Sequence, residues 1–338
     1  MSEIKKTLNG EINSCVPIWF MRQAGRYLPE FRSIRKKNKD FIKLCLDVNL
    51  SSEITLQPIK RFNLDAAIIF SDILMVPYAL GQSVNFVENL GPVLSEFKID
   101  EFLKKKENDF TKTLNPVYEA IKKTRENLNK NKSLISFVGS PWTLVIYMFG
   151  IKKSKEVLDS KLLISKKAEI DLVMKKIIEF LKIHIKNQVD AGADIIQIFD
   201  SWAGLVPEEN IDNYCYEPNQ ILVEYCKKLN IPVICFPKGI GNKYATFSKI
   251  VKPNCVSIDF NLDPEWAKKN LNGICIQGGM DPNILLSNKD RIIKEAEKFL
   301  NIFKGYPYIF NLGHGLLPQT NPDNVNELVN FVKNYEYK

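Results

Sequence analysis

The sequence is poor in the residue patterns that build disulfide frameworks and zinc sites. Its 338 residues include two histidines and an odd number of cysteines, and no Cys-x-x-Cys pair occurs. This count and spacing argue against a disulfide framework or a zinc ribbon. We therefore expect reduced, mostly buried thiols in a cytosolic protein. The cysteines are Cys15, Cys45, Cys215, Cys226, Cys235, Cys255 and Cys275.

Long apolar runs and blocks of like charge are also missing. No stretch approaches the roughly 18 apolar residues that a membrane span requires, and residues 1–6 are not followed by the apolar core of a signal peptide. The formal net charge is +8, but the lysines are spread along the whole chain. The sequence therefore predicts a cytoplasmic protein with no membrane or nucleic-acid partner. Its charge is compatible with small anionic ligands.

What is present is the composition of an ordinary soluble globular protein, with 45% apolar and 25% charged residues. Eight short apolar segments can be counted in it. They are continuous runs rather than alternating patterns, which is typical of strands buried on both faces. They span residues 16–21, 66–71, 134–139, 194–199, 232–236, 255–259, 274–278 and 308–312.

The stretches between these segments are mostly helix-like. The longest precedes the third segment, so additional helices are expected within residues 90–132. Serine, asparagine, proline and glycine mark several helix ends by their capping preferences. The predicted boundaries are N-caps at Ser51 and Ser52 for a helix toward residue 62, a stop at Gly192 after a helix over residues 168–189, and a start at Asn321 before Pro322.

Strand and helix alternating eight times predict a (β/α)8 (TIM) barrel, formed as a single domain by residues 1–338. The alternative is a doubly wound open sheet, which usually carries a glycine-rich phosphate loop after its first strand. No such loop is present. In a barrel of this kind the active site lies at the C-terminal ends of the strands, on the loops that follow them.

The loop after the first segment carries two arginines, Arg22 and Arg26, with Gly25 between them. Arginine is always charged, and its planar fork of donors fits a carboxylate or a phosphate through two parallel hydrogen bonds. A glycine beside the two forks lets the backbone approach a ligand closely. This loop therefore suits an anionic ligand, and the alternative is a surface loop with two solvated arginines.

Four other polar residues follow predicted strands, and the barrel places them around the same mouth. Each has a structural alternative. Asp72 is also suited to cap a helix, Tyr147 to be a core aromatic, and Ser201 to be a turn residue. His314 lies between two glycines and is harder to explain by packing. The other histidine, His184, falls within a long predicted helix, where a structural role is expected.

Residues 16–26 resemble the N-terminal signature of uroporphyrinogen decarboxylases, in which proline, tryptophan and methionine precede Arg-Gln-Ala-Gly-Arg. The matching residues are Pro17, Trp19, Met21, Arg22, Gln23, Ala24, Gly25 and Arg26. The resemblance extends over nearly the whole chain and includes Gly239 and residues 277–282. It assigns a set of residues to the substrate cleft, namely Arg22, Gln23, Arg26, Asp72, Tyr147, Ser201 and His314. The departures, such as Ser136, Phe149 and Phe260, leave this set untouched.

The resemblance implies loss of carbon dioxide from the four acetate side chains of uroporphyrinogen III, giving coproporphyrinogen III without a cofactor. It also implies a homodimer in which the two cleft mouths pair. Asp72, Arg22 and Tyr147 are then the expected catalytic residues, with Asp72 facing the pyrrole N–H groups. The proton donor stays open between Arg22, whose pKa is poorly matched to acid catalysis at neutral pH, and His314.

Two rival functions use the same scaffold. A zinc-dependent methyltransferase related to the corrinoid and cobalamin-independent methionine systems needs a His-x-Cys pair. The comparable position here is Val233-Ile-Cys235, without the histidine. A tetrapyrrole-binding protein without turnover needs no acid facing the pyrrole nitrogens, so the presence of Asp72 argues against it.

Overall fold

The computed structural model of the protein describes residues 1–87, 91–151 and 157–336. In this part of the chain there are nine β-strands. Their bounds are β1 Ala66–Ile68, β2 Val84–Val87, β3 Gly91–Leu94, β4 Ser133–Gly139, β5 Ile195–Asp200, β6 Val233–Pro237, β7 Cys255–Ile258, β8 Cys275–Gly278 and β9 Tyr308–Ile309. Seven of them form one parallel sheet in the order β1-β4-β5-β6-β7-β8-β9, and β2 and β3 form a separate antiparallel hairpin.

Helices connect the strands and surround the sheet. The first eight are α1 Glu3–Leu8, α2 Pro29–Lys37, α3 Phe41–Cys45, α4 Val48–Phe62, α5 Met75–Ala79, α6 Ile99–Leu103, α7 Glu107–Asn127 and α8 Pro141–Phe149. The others are α9 Ser160–Ser165, α10 Lys167–Asp190, α11 Glu217–Lys228, α12 Tyr244–Val251, α13 Pro264–Asn270, α14 Lys289–Ile302 and α15 Pro322–Lys333. Among the described residues, no helix has the length and apolar character to cross a membrane.

The curled parallel sheet confirms the barrel class, but the prediction of a first strand at residues 16–21 is wrong in extent. This segment forms one parallel bridge, between Ile18 and Phe310. The Phe310 N–H donates to the Pro17 carbonyl at 2.9 Å, and on the other side the Asp65 N–H donates to the Ile18 carbonyl at 2.9 Å. The segment thus closes the barrel between β9 and β1. Pro17 has no N–H to extend the ladder.

The barrel interior is a packed core. Side chains that alternate along the strands point inward and include Trp19, Met21, Ile68, Ile135, Ile195, Ile234, Phe236, Cys255, Cys275 and Ile309. Ile4 and Leu8 of α1 belong to the same cluster, so this helix covers one end. Trp19 Nε1 donates to Gln277 Oε1 at 2.8 Å, which satisfies the indole N–H inside the barrel.

The helix for which Ser51 and Ser52 were the predicted N-caps has its cap four residues before Ser51. Asp47 caps α4, and its carboxylate accepts hydrogen bonds from the N–H groups of Asn49 and Leu50. A carboxylate at the N-terminus also interacts favourably with the helix dipole, which explains why Asp47 is the cap. Ser51 lies inside the helix and donates to the Phe70 carbonyl at 2.7 Å.

The other predicted helix boundaries agree with the structure. α10 ends at Asp190 with Gly192 at φ +106°, and Asn321 caps α15 through the Asp323 N–H. The region after the β2–β3 hairpin carries α6 and α7. His184 is buried in α10 between Tyr118 and Gln188, with ring nitrogens 3.0 and 2.6 Å from their polar atoms. Cys15 is exposed, and the other six cysteines are buried.

Asp65 stabilises the barrel closure. Its Oδ2 accepts the Ile18 N–H at 2.9 Å, and its Oδ1 lies 2.6 Å from Lys333 Nζ of α15. Replacing Asp65 with alanine leaves a partly buried N–H and an ammonium without their acceptor. We expect the free energy of unfolding to fall by about 2–3 kcal/mol, measured by urea denaturation.

The matched control is Asp190→Ala, because Asp190 forms an exposed pair with Lys186 one helical turn away. Exposed pairs contribute little, so we expect this change to stay within about 0.5 kcal/mol. Equal losses in the two variants would contradict a special role for Asp65.

Candidate active site

Backbone N–H groups join several of the loops at the C-terminal ends of the strands to a neighbouring loop or strand end. Four of these bonds are accepted by backbone carbonyls and one by the Asp259 carboxylate. They run from Leu316 N–H to the Met21 carbonyl (3.0 Å), Gly313 N–H to Met280 (2.7 Å), Gly239 N–H to Asp259 Oδ2 (2.8 Å), Lys238 N–H to Asp200 (3.1 Å) and Ser140 N–H to Phe199 (2.9 Å). The mouth is therefore held by the loops themselves as well as by the strands.

Arg22 lies at the point where the closing segment leaves the barrel, and its backbone is strained. Its φ of +60° is in the left-handed region, which costs a non-glycine residue on the order of 1–3 kcal/mol and is typical of functional sites. The Leu316 N–H holds the preceding carbonyl, that of Met21. The side chain of Arg22 is exposed in the mouth.

Gln23, which was predicted to bind substrate, lies inside the wall of the barrel. Its side chain is fully buried (0% exposed). Its Oε1 accepts the Phe20 N–H at 3.0 Å, and its Nε2 donates to the Ala66 carbonyl of β1 at 3.0 Å. Tyr27 donates its hydroxyl to the Gln23 carbonyl at 2.8 Å. These contacts tie the loop to β1 and hold the backbone that presents Arg22.

Asp72 follows β1 and is half-buried at the mouth. Its Oδ1 accepts the Leu74 N–H at 2.9 Å, ahead of α5, so the capping geometry considered from the sequence is present in part. Desolvation raises the pKa of Asp72 to about 6, against the opposing effects of the Leu74 hydrogen bond and the charge of Arg22. The carboxylate is therefore mostly ionised at neutral pH and lies within electrostatic reach of Arg22.

Tyr147 lies in α8, whose N-cap Ser140 directly follows β4. Its ring meets that of Trp202 edge to face, with 6.1 Å between centroids. Desolvation raises the pKa of Tyr147, and the charge of Asp72 adds to the effect, while Trp202 and Arg22 oppose it. The hydroxyl thus keeps its proton at neutral pH and is a hydrogen-bond donor beside the other two groups.

His314 is held as a neutral imidazole. The Gly315 N–H donates to its Nδ1 at 2.7 Å, which assigns the proton of the neutral ring to Nε2. Burial lowers the pKa of His314 to about 3, and the charges of Arg22 and Lys238 add to the effect. The Phe236 ring packs edge to face against the imidazole at 6.4 Å. His314 can therefore donate a hydrogen bond, but at neutral pH it has no acidic proton to transfer.

Arg26 and Ser201 are the other two residues of the predicted set. Arg26 is exposed, and within the described part of the chain its charge does not contribute to the pKa shifts of Asp72, Tyr147 or His314. Ser201 directly follows β5 and is half-buried. Arg26 lies in the loop after the closing segment, and Ser201 in the loop after β5, so both are at the mouth end of the barrel.

Two charged residues of the mouth were not singled out from the sequence. Lys238 follows β6, and its charge reaches His314. Asp200 ends β5 and is buried, with Oδ1 accepting the Thr143 hydroxyl at 2.8 Å and Oδ2 accepting the Asn219 amide at 3.0 Å. Their position directly after apolar segments is the same signal that identified Asp72, so both could have been found.

Metal ligands do not cluster in the described residues, where no group of three or more His, Cys, Asp or Glu side chains could hold an ion. Cys235, the residue compared with a zinc-site cysteine, is buried in β6, and burial raises the pKa of its thiol well above the ordinary value.

The fold and the site together define a TIM-barrel enzyme whose mouth combines a guanidinium, a carboxylate, a phenol and a neutral imidazole. The uroporphyrinogen decarboxylase (URO-D) family matches residues 1–335. A uroporphyrinogen decarboxylase of Rickettsia bellii is 45% identical over 328 residues, covering 95% of this chain and 96% of that protein. One of Rickettsia felis is 43% identical and covers 100% and 98%. The chain belongs to the uroporphyrinogen decarboxylase family.

Solved structures with the same fold include methyl-transfer enzymes. A methyltransferase from Methanosarcina mazei superposes with a TM-score of 0.78 at 18% identity, covering 97% of this chain and 96% of that one. A B12-independent methionine synthase from Shewanella superposes with a TM-score of 0.55 at 11% identity, covering 84% and 87%. At these identities the likeness concerns the fold alone.

The protonation state of His314 can be tested by NMR titration, because the chain has only two histidines. We expect the His314 ring to stay neutral, with its proton on Nε2, between about pH 6 and about pH 8. A His314→Gln variant assigns its signals against those of His184. A protonation midpoint near the usual value of about 6.5 would contradict the neutral ring.

Proposed function

We propose that the protein removes carbon dioxide from the four acetate side chains of uroporphyrinogen III and gives coproporphyrinogen III, in tetrapyrrole biosynthesis and without a cofactor. Full-length similarity to uroporphyrinogen decarboxylases supports the reaction. The observation that supports the mechanism is that Asp72 lies within electrostatic reach of Arg22, and that the charge of Arg22 also acts on the pKa of Tyr147 and of His314.

The reaction leaves an electron pair on a methylene carbon when carbon dioxide departs. A pyrrole ring protonated at a ring carbon can accept that pair, since it is cationic. A proton from solvent then converts the methylene carbon to a methyl group, and the ring carbon returns its proton to solvent, so that one proton is consumed for each carbon dioxide released. The Asp72 carboxylate accepts hydrogen bonds from the pyrrole N–H groups and stabilises the positive charge that develops on the ring. Its half-buried position strengthens this interaction, because little water remains to screen it.

Arg22 binds a substrate carboxylate, for which its fork of donors is suited. His314 donates a hydrogen bond to the substrate from Nε2, and Tyr147 donates one from its protonated hydroxyl. With a pKa lowered to about 3, His314 is assigned to binding and not to proton donation. Arg26 and Ser201, on loops at the mouth end of the barrel, contact further carboxylates of the substrate. Gln23 acts on the reaction through the backbone of Arg22.

The direct test is anaerobic incubation with uroporphyrinogen III, followed by chromatographic separation of products by their number of carboxyl groups. We expect intermediates with fewer acetate groups and then coproporphyrinogen, with activity that persists after dialysis against a chelator. Binding without any loss of carboxyl groups would favour a tetrapyrrole-binding protein. Activity restored only by an added metal would contradict the cofactor-free reaction.

We propose a cytoplasmic homodimer whose mouths face each other. Exposed apolar side chains in the segments that follow β1 and β4 support an interface at this end of the barrel. They are Val87, Val93, Val157 and Ile164. Light scattering should give twice the mass of one chain, and the mass of a single chain would contradict the dimer.

The variant Asp72→Asn tests the charge at the pyrrole nitrogens. Asparagine keeps the shape and can still accept the Leu74 N–H, but it lacks the negative charge. We expect turnover to fall by roughly 10²–10³, the usual effect of removing a pre-placed group of this kind, with a smaller change in KM. Asp72→Glu should also be poor, because one methylene displaces the carboxylate by about 1 Å.

The melting temperature of Asp72→Asn and the pH dependence of turnover distinguish a catalytic role of Asp72 from helix capping. The native pKa of Asp72 lies above the unfolded value, so its stabilising contribution is present at low pH and is lost as the pH rises through about 6. Asp72→Asn should therefore not lower the melting temperature at neutral pH. Turnover of the wild type should fall as the pH drops through about 6, because the carboxylate becomes neutral. Native-like turnover of a folded Asp72→Asn protein would contradict the proposal.

A further inference from the structure

Gly315, in the loop after the last strand, lies directly beneath the side chain of Arg22. A Cβ atom placed on Gly315 would lie 2.6 Å from Arg22 Cγ and 3.0 Å from Nε, and would be closer still to Cδ. These separations are shorter than carbon atoms tolerate without bonding. The side chain of Arg22 therefore passes over the backbone of residue 315, where it has room only because glycine carries no side chain.

The backbone conformation does not explain the glycine. Gly315 is not among the glycines with positive φ, whereas Gly305 is, at +69°. An alanine can therefore adopt the conformation of residue 315. Steric room for Arg22 is the requirement that the structure shows.

The backbone of Arg22 is fixed to the same loop. The residue after Gly315, Leu316, donates its N–H to the carbonyl of the residue before Arg22. The φ of +60° at Arg22 then directs the side chain across Gly315. Backbone and side chain of Arg22 are thus both placed against residues 314–316.

We propose that Gly315 is a positioning residue, which fixes the path of the Arg22 side chain and so the place of its guanidinium in the mouth. This role rests on the proposed function, because it acts through a residue that binds substrate. A methyl group at position 315 displaces the Arg22 side chain at a cost in stability, because it meets Cγ, close to a backbone that the Leu316 hydrogen bond holds in place. The guanidinium then loses its place beside Asp72 and His314.

A kinetic cycle tests the role with Gly315→Ala, Arg22→Ala and the double variant. We expect Gly315→Ala to lower kcat/KM by roughly 10- to 100-fold, since small displacements of a binding group are costly. The double variant should be no worse than Arg22→Ala alone, because the methyl acts only through Arg22. Unchanged kcat/KM in Gly315→Ala, or losses that multiply in the double variant, would overturn the proposal.

A stability cycle tests the same contact without the reaction. Arg22→Ala vacates the space that the methyl needs, so it should restore the urea midpoint lowered by Gly315→Ala. If Gly315→Ala does not fold, the double variant should fold. A urea midpoint unaffected by Gly315→Ala, or a loss that Arg22→Ala does not restore, would overturn the proposal. This cycle holds even if uroporphyrinogen is not the substrate, so failure of the two proposals can be told apart.

Gly313 provides the matched control two residues away. A Cβ there would meet the backbone nitrogen of Phe260 and the Asp259 carbonyl carbon, the latter at 2.8 Å. The crowding in Gly313→Ala is thus against backbone, and Arg22→Ala should not relieve it. If Arg22→Ala restored the urea midpoints of Gly313→Ala and Gly315→Ala equally, its effect would be a general loosening of the mouth. That result would contradict a specific contact between Gly315 and Arg22.

Discussion

Closure of the barrel by a single β-bridge is the constraint on which the rest of the site depends. The segment at residues 17–21 joins β9 to β1 through one bridge and a few flanking hydrogen bonds, where the other neighbours in the sheet share a longer ladder. Side chains supply what the short pairing lacks: Asp65 holds the start of the segment, and Gln23 holds its end against β1. Because Arg22 lies at that end, the contacts that close the barrel also place its guanidinium.

One guanidinium then contributes to the pKa of several groups, after the larger effect of their burial. The charge of Arg22 opposes the desolvation that raises the pKa of Asp72, and it adds to the burial that lowers the pKa of His314. The outcome is an ionised carboxylate and a neutral imidazole that both lie within electrostatic reach of Arg22, two groups with separate tasks. Two titratable groups whose environments push their pKa values apart are the usual basis for such a division.

The sequence predicted the parts of the structure that depend on local patterns. Seven of eight strands, the ends of α10 and α15, and the placement of Asp72, Tyr147 and His314 after strands follow from apolar runs, caps and spacing. The features that the sequence did not predict are mostly contacts between residues far apart in the chain. The bond from Gln23 to Ala66 and the crossing of Arg22 over Gly315 join segments that no local pattern relates. The cap at Asp47 was missed because serine and aspartate compete for the same role.

The most direct test of the account is a crystal structure of the protein with a porphyrinogen bound. The account predicts the tetrapyrrole in the mouth, with its pyrrole N–H groups within about 3.2 Å of the Asp72 carboxylate and a substrate carboxylate on the fork of Arg22. A tetrapyrrole bound outside the mouth, or one whose N–H groups face away from Asp72, would contradict it.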